Sequence, residues 1–127
     1  MPLVPAFILR RLYVKNSLRN TQRGWRFTLR NSLGSGYAVG LVPLKLDESQ
    51  EIPMSVTWFE NDGEEVTFDQ VTEDNTFGLK MNKEIVINVD SDQLEPGDHN
   101  VYFRCIIPGI GQIGFDFNDV ISSDKSL

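Results

Sequence analysis

Few residues of this chain could do chemistry. It has one histidine, His99, and one cysteine, Cys105. A histidine acts as a general base only beside a substrate pocket and an orienting partner, and the position of His99 after a Pro-Gly turn favours a structural role. Cys105 alternates with Val101 and Phe103, so we expect it to be a small core residue and not an activated thiolate.

A glycine motif, Gly109-Ile-Gly111-Gln-Ile-Gly114, matches the G-x-G-x-x-G fingerprint of dinucleotide-binding proteins. That fingerprint opens a helix whose N-terminus holds the pyrophosphate. The residues after Gly114 instead alternate between apolar and polar types, as they do in a strand. We therefore predict a glycine-rich loop between the last two strands and no nucleotide site.

Acidic residues gather at Asp90, Asp92, Glu95 and Asp98. Carboxylates bind calcium, but this spacing lacks the EF-hand loop with its terminal glutamate, and a solvated acidic turn explains it more simply. We expect no catalytic, cofactor-binding or metal-binding residue in this chain.

The charges are divided along the chain. Residues 1–46 contain eight Lys and Arg and no Asp or Glu, whereas the remaining residues contain all 18 carboxylates and four cations. Such a run is usually a solvated face. Arginine is also common at interfaces, where it pairs with carboxylates. We therefore predict that Arg19 and Arg23 contact a partner macromolecule.

Length and composition predict one domain over residues 1–127, with a frayed tail at 122–127. A net charge of −6 argues against a nucleic-acid partner, and no apolar stretch reaches the roughly 20 residues that span a membrane. Arg10 and Arg11 follow the apolar N-terminal run, whereas a secretory signal carries its charge before that run. Together with the lone cysteine, these features predict a cytoplasmic protein.

Apolar residues recur with period two along most of the chain. Trp25, Phe27 and Leu29 alternate with polar residues, which is typical of a half-buried strand. About eight such segments, the first of them Phe7–Lys15, predict an all-β fold. We expect an immunoglobulin-like antiparallel β-sandwich of seven to nine strands with negligible helix.

Two further segments refine this prediction. Met54, Val56 and Trp58 alternate with Ser55, Thr57 and Phe59, and Val56 and Trp58 are expected to be mostly buried. The segment Leu94-Glu-Pro-Gly-Asp-His99 resembles a turn that recurs in immunoglobulin-like sandwiches, and this likeness concerns the fold alone.

A longer pattern links three stretches of the chain. Leu12–Asn31 has an L-x-N…G-x-x-F-x-x-R/K-N opening, and Leu46-Asp47 with Ile52-Pro53 and then Leu94–His99 continue the layout. This layout resembles the small β subunits of C-glycoside deglycosidases. At Arg30–Tyr37 the chain departs from the R-x-P-Y-Y-R-G segment of many members.

The resemblance implies a small non-catalytic β subunit of a lyase-type complex that contains several α–β pairs. In that family a TIM-barrel α subunit holds a divalent metal, typically manganese, together with the catalytic histidine. The complex cleaves the carbon–carbon bond of 3-oxo-C-glycosides, including those of flavonoids. No catalytic residue of the family maps onto this chain, whose role would be to support the α subunit.

The glycine loop carries no charge between Arg104 and Asp116. Surface loops are normally polar, so an uncharged one suggests that another chain covers it. We predict that Ile110, Gln112 and Ile113, together with Tyr37, contact the barrel subunit.

A free-standing carbohydrate- or ligand-binding sandwich is the alternative. In it, Tyr37, Trp58 or Phe59 would stack on sugars. Exposed, coplanar rings would favour this alternative, and buried rings would oppose it.

Overall fold

The computed structural model describes residues 5–122. It opens with a short helix, α1 (Ala6–Leu9), and contains 3-10 turns at Arg10–Leu12, Met54–Val56 and Phe68–Gln70. The strands are β1 (Arg19–Asn20), β2 (Gly24–Arg30), β3 (Gly36–Ala38), β4 (Gly40–Leu41), β5 (Lys45–Leu46), β6 (Gln50–Glu51), β7 (Thr57–Asn61), β8 (Glu64–Thr67), β9 (Phe77–Leu79), β10 (Glu84–Asp90), β11 (Gly97–Ile107) and β12 (Gly111–Ile121). The tail predicted at 122–127 lies, apart from Ser122, outside the described residues.

Two antiparallel sheets form the body of the fold. One has the strand order β1-β2-β10-β7-β8, and the other has the order β12-β11-β5-β6 with β4 also paired to β11. β3 and β9 form a separate two-stranded ribbon. The predicted all-β antiparallel sandwich is confirmed. The described strands number twelve because several pieces are only two residues long.

A column of aromatic rings fills the space between the sheets. Phe27 of one sheet meets Phe117 of the other with 5.2 Å between ring centroids. The column continues through Phe115 and Phe103, which are 5.9 Å apart, to Phe77, which lies 6.3 Å from Phe103. Aromatic pairs add to area burial in stabilising a core, so this column joins the two sheets.

The predicted strand at Phe7–Lys15 is wrong. This segment forms α1 and a 3-10 turn, and only Tyr13 pairs with a strand, as a one-residue bridge. Pro5 precedes the helix, where its fixed φ and missing N–H are tolerated. Leu9 and Leu12 are three residues apart and therefore lie on one face of the helical segment, a spacing that the period-two interpretation overlooked.

The face assigned to β7 is also wrong. The residues Met54–Val56 form a 3-10 turn, and the strand that follows directs Phe59 into the core. Trp58 therefore points outward, because neighbouring strand residues face opposite sides. Its burial, which was predicted, has a different cause. The Arg23 guanidinium lies 4.5 Å from the centre of the indole, and the indole N–H donates to Asp90 at 2.9 Å.

We expect Phe27→Ala to lower the free energy of unfolding by about 3–5 kcal/mol, because it opens a cavity in the aromatic column. Phe27 is 0% exposed, whereas Phe7 is 65% exposed, so Phe7→Ala is the matched control and should change stability by less than about 0.5 kcal/mol. Urea unfolding followed by tryptophan fluorescence measures both changes. Equal losses in the two variants would contradict the column's role.

Candidate functional site

A groove of about 510 Å³ opens at one end of the sandwich, where the aromatic column stops. We call it the end groove. Its lining consists of Ile8, Leu9 and Leu12 of the N-terminal helical segment, of Asn31 and residues 33–38, and of the strand and hairpin residues Leu29, Phe77, Leu79, Phe103, Cys105, Ile107, Ile110 and Ile113. Nearly all of these side chains are apolar, and those of Leu9 and Leu12 enter from α1 and the turn after it.

The groove exists because the residues at this end are small. Residues 34–36 read Gly-Ser-Gly, and Ala38 and Cys105 stand where larger side chains would continue the core. Protein interiors are normally packed to the density of organic crystals. An apolar space of this size is therefore a departure from normal packing that calls for a functional explanation.

Asn31 holds the loop over the groove. Its side-chain N–H groups donate to the carbonyl oxygens of Leu79, at 2.8 Å, and of Gly34. Its carbonyl oxygen accepts the backbone N–H groups of Leu33 and Gly34, at 3.0 and 3.1 Å. All four hydrogen-bonding positions of this buried amide are used, so the loop has a defined shape.

Three of the six predicted interface residues converge on the end groove. Tyr37, Ile110 and Ile113 all line it, although Tyr37 lies far from the other two in sequence. Gln112 is exposed on the other face of β12, opposite Ile106 of β11. Whether any of these residues contacts a partner stays a prediction.

Arg19 and Arg23 lie at the opposite end of β2 from the groove, beside Gly24 and Arg26. Arg23 is engaged within the chain. It bonds Glu65 at 3.0 Å and Asp90 at 2.6 Å.

The charge division is largely an internal arrangement of the sheet. The basic strand β2 lies beside the acidic strand β10, with Arg30 opposite Glu84. Lys45 likewise faces Glu51 across β5 and β6. Opposite charges directly across a strand pair stabilise the sheet. The two halves of the sequence thus complement each other inside the domain.

His99 clamps two turns together. Its Nδ1 lies 3.0 Å from an Asp47 carboxylate oxygen and its Nε2 lies 2.6 Å from the Glu95 carbonyl oxygen. Both partners are acceptors, so both ring nitrogens must donate and the ring is cationic. Burial opposes that charge, but the bonds to Glu95 and Asp47 outweigh it and raise the pKa of His99 above 6.5. The structural role predicted for this residue agrees with this geometry.

The remaining candidates also have structural environments. Burial raises the pKa of the Cys105 thiol to about 12, which leaves no thiolate at neutral pH. Gly109 and Gly111 have positive φ in the hairpin between β11 and β12, so the glycine motif opens no helix. Within residues 5–122 no three His, Cys, Asp or Glu side chains are placed to hold a metal ion.

The sequence interpretation missed several residues that shape the groove. Leu9 and Leu12 were assigned to a strand, and their helical spacing was the signal that could have identified them. Asn31 and Cys105 were not connected with the predicted interface. The run of small residues at 34–36 was a usable sign of an unfilled space.

A family model for the hydroxymethylglutaryl-CoA reductase N-terminal domain matches residues 8–122. The chain belongs to that family. The match begins within α1 and includes both sheets and every residue that lines the end groove. No curated protein matches the chain.

The family match corrects the predicted identity and function. The chain is not a β subunit of a C-glycoside deglycosidase, and the associated lyase and flavonoid assignments are wrong. The motifs behind that resemblance are short turn and strand patterns that unrelated sandwiches share, and such patterns indicate fold and not function. The TIM-barrel partner and its divalent metal had only that resemblance as their basis and are untested.

The alternative of a free-standing carbohydrate-binding or ligand-binding module is not supported either. Phe59 is buried in the core, and the Trp58 ring is covered by Arg23. Tyr37 is exposed, but the other two rings are not available to form a platform with it. Among the described residues, no helix has the length and apolar character needed to cross a bilayer.

We expect Asn31→Ala to lower the free energy of unfolding by about 2 kcal/mol, because it removes the bonds that hold Leu33 and Gly34 and the bond to the carbonyl oxygen of buried Leu79. Asn61, exposed at the end of β7, gives a matched control whose change to alanine should cost less than about 0.5 kcal/mol. Urea unfolding measures the difference. A similar cost for both variants would show that the loop does not depend on Asn31.

The His99 clamp should depend on pH. Because the folded-state pKa is raised, its stabilisation is complete below the unfolded value of 6.5 and is lost as the pH rises through the folded-state pKa. We expect His99→Gln to destabilise the domain more at about pH 5.5 than at about pH 9, as measured by urea unfolding at each pH. An unchanged difference across this range would exclude a cationic clamp.

Proposed function

We propose that this chain acts as the N-terminal, non-catalytic domain of a hydroxymethylglutaryl-CoA reductase and contacts the part of that enzyme that performs the reduction. The observation that carries this proposal is the family match, which covers residues 8–122 and therefore nearly the whole described structure. The family is that of the N-terminal domain of the reductase. This supports a role for the chain beside a separate catalytic part of the same enzyme.

The chemistry of the described residues supports a non-catalytic role. Reduction of a carbonyl group needs a proton donor within hydrogen-bond reach of the reacting oxygen. Both ring nitrogens of His99 are already engaged, and Cys105 is buried with a raised pKa. Asp90 and Asp116 are bonded to Arg23 and Arg10. These groups hold the fold together, so we assign proton transfer to the catalytic part.

A cytoplasmic location remains part of the proposal. The single cysteine, Cys105, is a free thiol in the core, and a free thiol is compatible with a reducing compartment.

The end groove that the chain would present to a partner is lined by apolar side chains. Such a surface suits a protein partner better than a nucleic acid.

The test uses the purified chain and the catalytic part of the reductase from the same organism, produced separately. We expect the chain alone to consume no hydroxymethylglutaryl-CoA above the buffer rate, because His99 and Cys105 are engaged or buried in the fold and we assign proton transfer to the catalytic part. We expect it to bind the catalytic part and raise that part's thermal midpoint, because a bound partner stabilises the folded state. Differential scanning fluorimetry and substrate loss measure these effects.

The destabilised variant Phe27→Ala is the control and should bind in proportion to its folded fraction. Substrate consumption by the chain alone would contradict the non-catalytic role. The absence of binding to the catalytic part at micromolar concentrations would contradict the proposed function as a whole.

A further inference from the structure

We infer that the end groove is a docking site for an uncharged, apolar segment of the reductase's catalytic part. This inference rests on the proposed function and names the surface through which the domain acts. Four features of the groove carry it: its unfilled volume, its lack of charge, its satisfied polar groups and its exposed apolar rim.

The volume of the groove fits side chains of another polypeptide. A cavity of about 150 Å³ in a protein core is large enough to hold benzene. At about 510 Å³ the end groove therefore has room for roughly three large apolar side chains. Its open side faces outward between the loop at residues 33–37 and the turn at Pro108–Ile110, so a chain segment can enter without disturbing the sheets.

The charge pattern selects an uncharged partner. No Asp, Glu, Lys or Arg occurs in residues 31–38 or in residues 105–115, although charged residues make up 24% of the whole chain. A charged group entering this groove would lose its hydration without gaining a partner, which is costly. An apolar segment loses nothing of this kind and gains from burial.

Of the polar side chains in the lining, Asn31 and Ser35 are bonded within the chain, and the Tyr37 hydroxyl lies at the exposed rim. The Asn31 amide makes four internal hydrogen bonds, and the Ser35 hydroxyl accepts the backbone N–H of Met81 at 3.2 Å. Small-molecule sites usually present a few free polar groups that orient the ligand. The shortage of such groups here favours apolar side chains of a protein over a small molecule with polar groups.

The rim presents apolar side chains to solvent. Leu33, Tyr37 and Ile110 line the groove and are all exposed, and Met81 lies beside Ser35 and is also exposed. Half of the large exposed hydrophobic residues of the described chain thus gather at this one end. Clusters of this kind mark interaction surfaces, whereas scattered exposed hydrophobics need no explanation.

The test compares two substitutions on the same hairpin. Ile110→Asp places a charge in the groove, and Val120→Asp places one at the far end of β12, about 30 Å away along the strand. Ile110 is 44% exposed and Val120 is 56% exposed, so both variants should fold, and circular dichroism checks that they do. The dissociation constant for the separately produced catalytic part is measured by calorimetry.

We expect Ile110→Asp to weaken binding at least about tenfold and Val120→Asp to change it less than about twofold. Tyr37→Asp, a second charged substitution at an exposed lining residue, supplies an independent measurement. It should weaken binding to an extent similar to that of Ile110→Asp.

The other outcomes distinguish the inference from the function on which it rests. Equal binding by the wild type, Ile110→Asp and Tyr37→Asp would overturn the groove assignment and leave the proposed function standing. No binding by either would overturn both. A self-association of the wild type that Ile110→Asp abolishes in sedimentation would assign the groove to a second copy. A small molecule that native mass spectrometry finds bound to the wild type and absent from Ile110→Asp would assign it to a ligand. Either of these two results would overturn the inference.

Discussion

The column of aromatic rings between the sheets is the constraint on which the rest of the structure depends. Phe27 and Phe117 join the two sheets at its centre, and Tyr13 stacks on Phe117 with 3.6 Å between ring centroids. Because Tyr13 follows directly after the N-terminal helical segment, the same stack fixes that segment against the sandwich. The Tyr13 hydroxyl also donates to Asp119 at 2.5 Å. The packing of Phe117 at the centre of the column therefore fixes the position of the N-terminal helical segment at one end of the sandwich.

The two ends of the sandwich differ in how their side chains are packed. At one end Arg23 covers Trp58 and bonds Asp90 and Glu65, so the cations of the early sequence are matched by later carboxylates. Exposed ion pairs of this type contribute little stability each, but here they hold the Arg23 guanidinium over the Trp58 indole and cover that ring. At the other end the chain uses glycine, alanine and cysteine and leaves space. The end that contains Arg23 and Trp58 is closed, and the end whose groove is lined by uncharged residues is open.

Much of the fold could be predicted because alternation of apolar residues is a local property of a strand. Trp25, Phe27 and Leu29 face the core as their spacing indicates. Trp58 could not be placed, since a 3-10 turn before β7 changed which residues face inward, and a one-residue shift reverses every side chain. The site was harder, because Tyr37 and Ile110 meet only through the pairing of strands that are distant in sequence. Their lack of charge was visible in the sequence, but the shared groove was not.

The packing of the open end also limits how the domain can act. The groove is open to solvent, and apolar lining that stays in contact with water costs free energy until a partner covers it. An apolar segment that enters the groove offsets this cost and gains dispersion contacts with a lining already held in place by Asn31. Binding would then cost this chain little conformational entropy. The groove is thus preorganised, and its occupancy would stabilise both partners through one set of contacts.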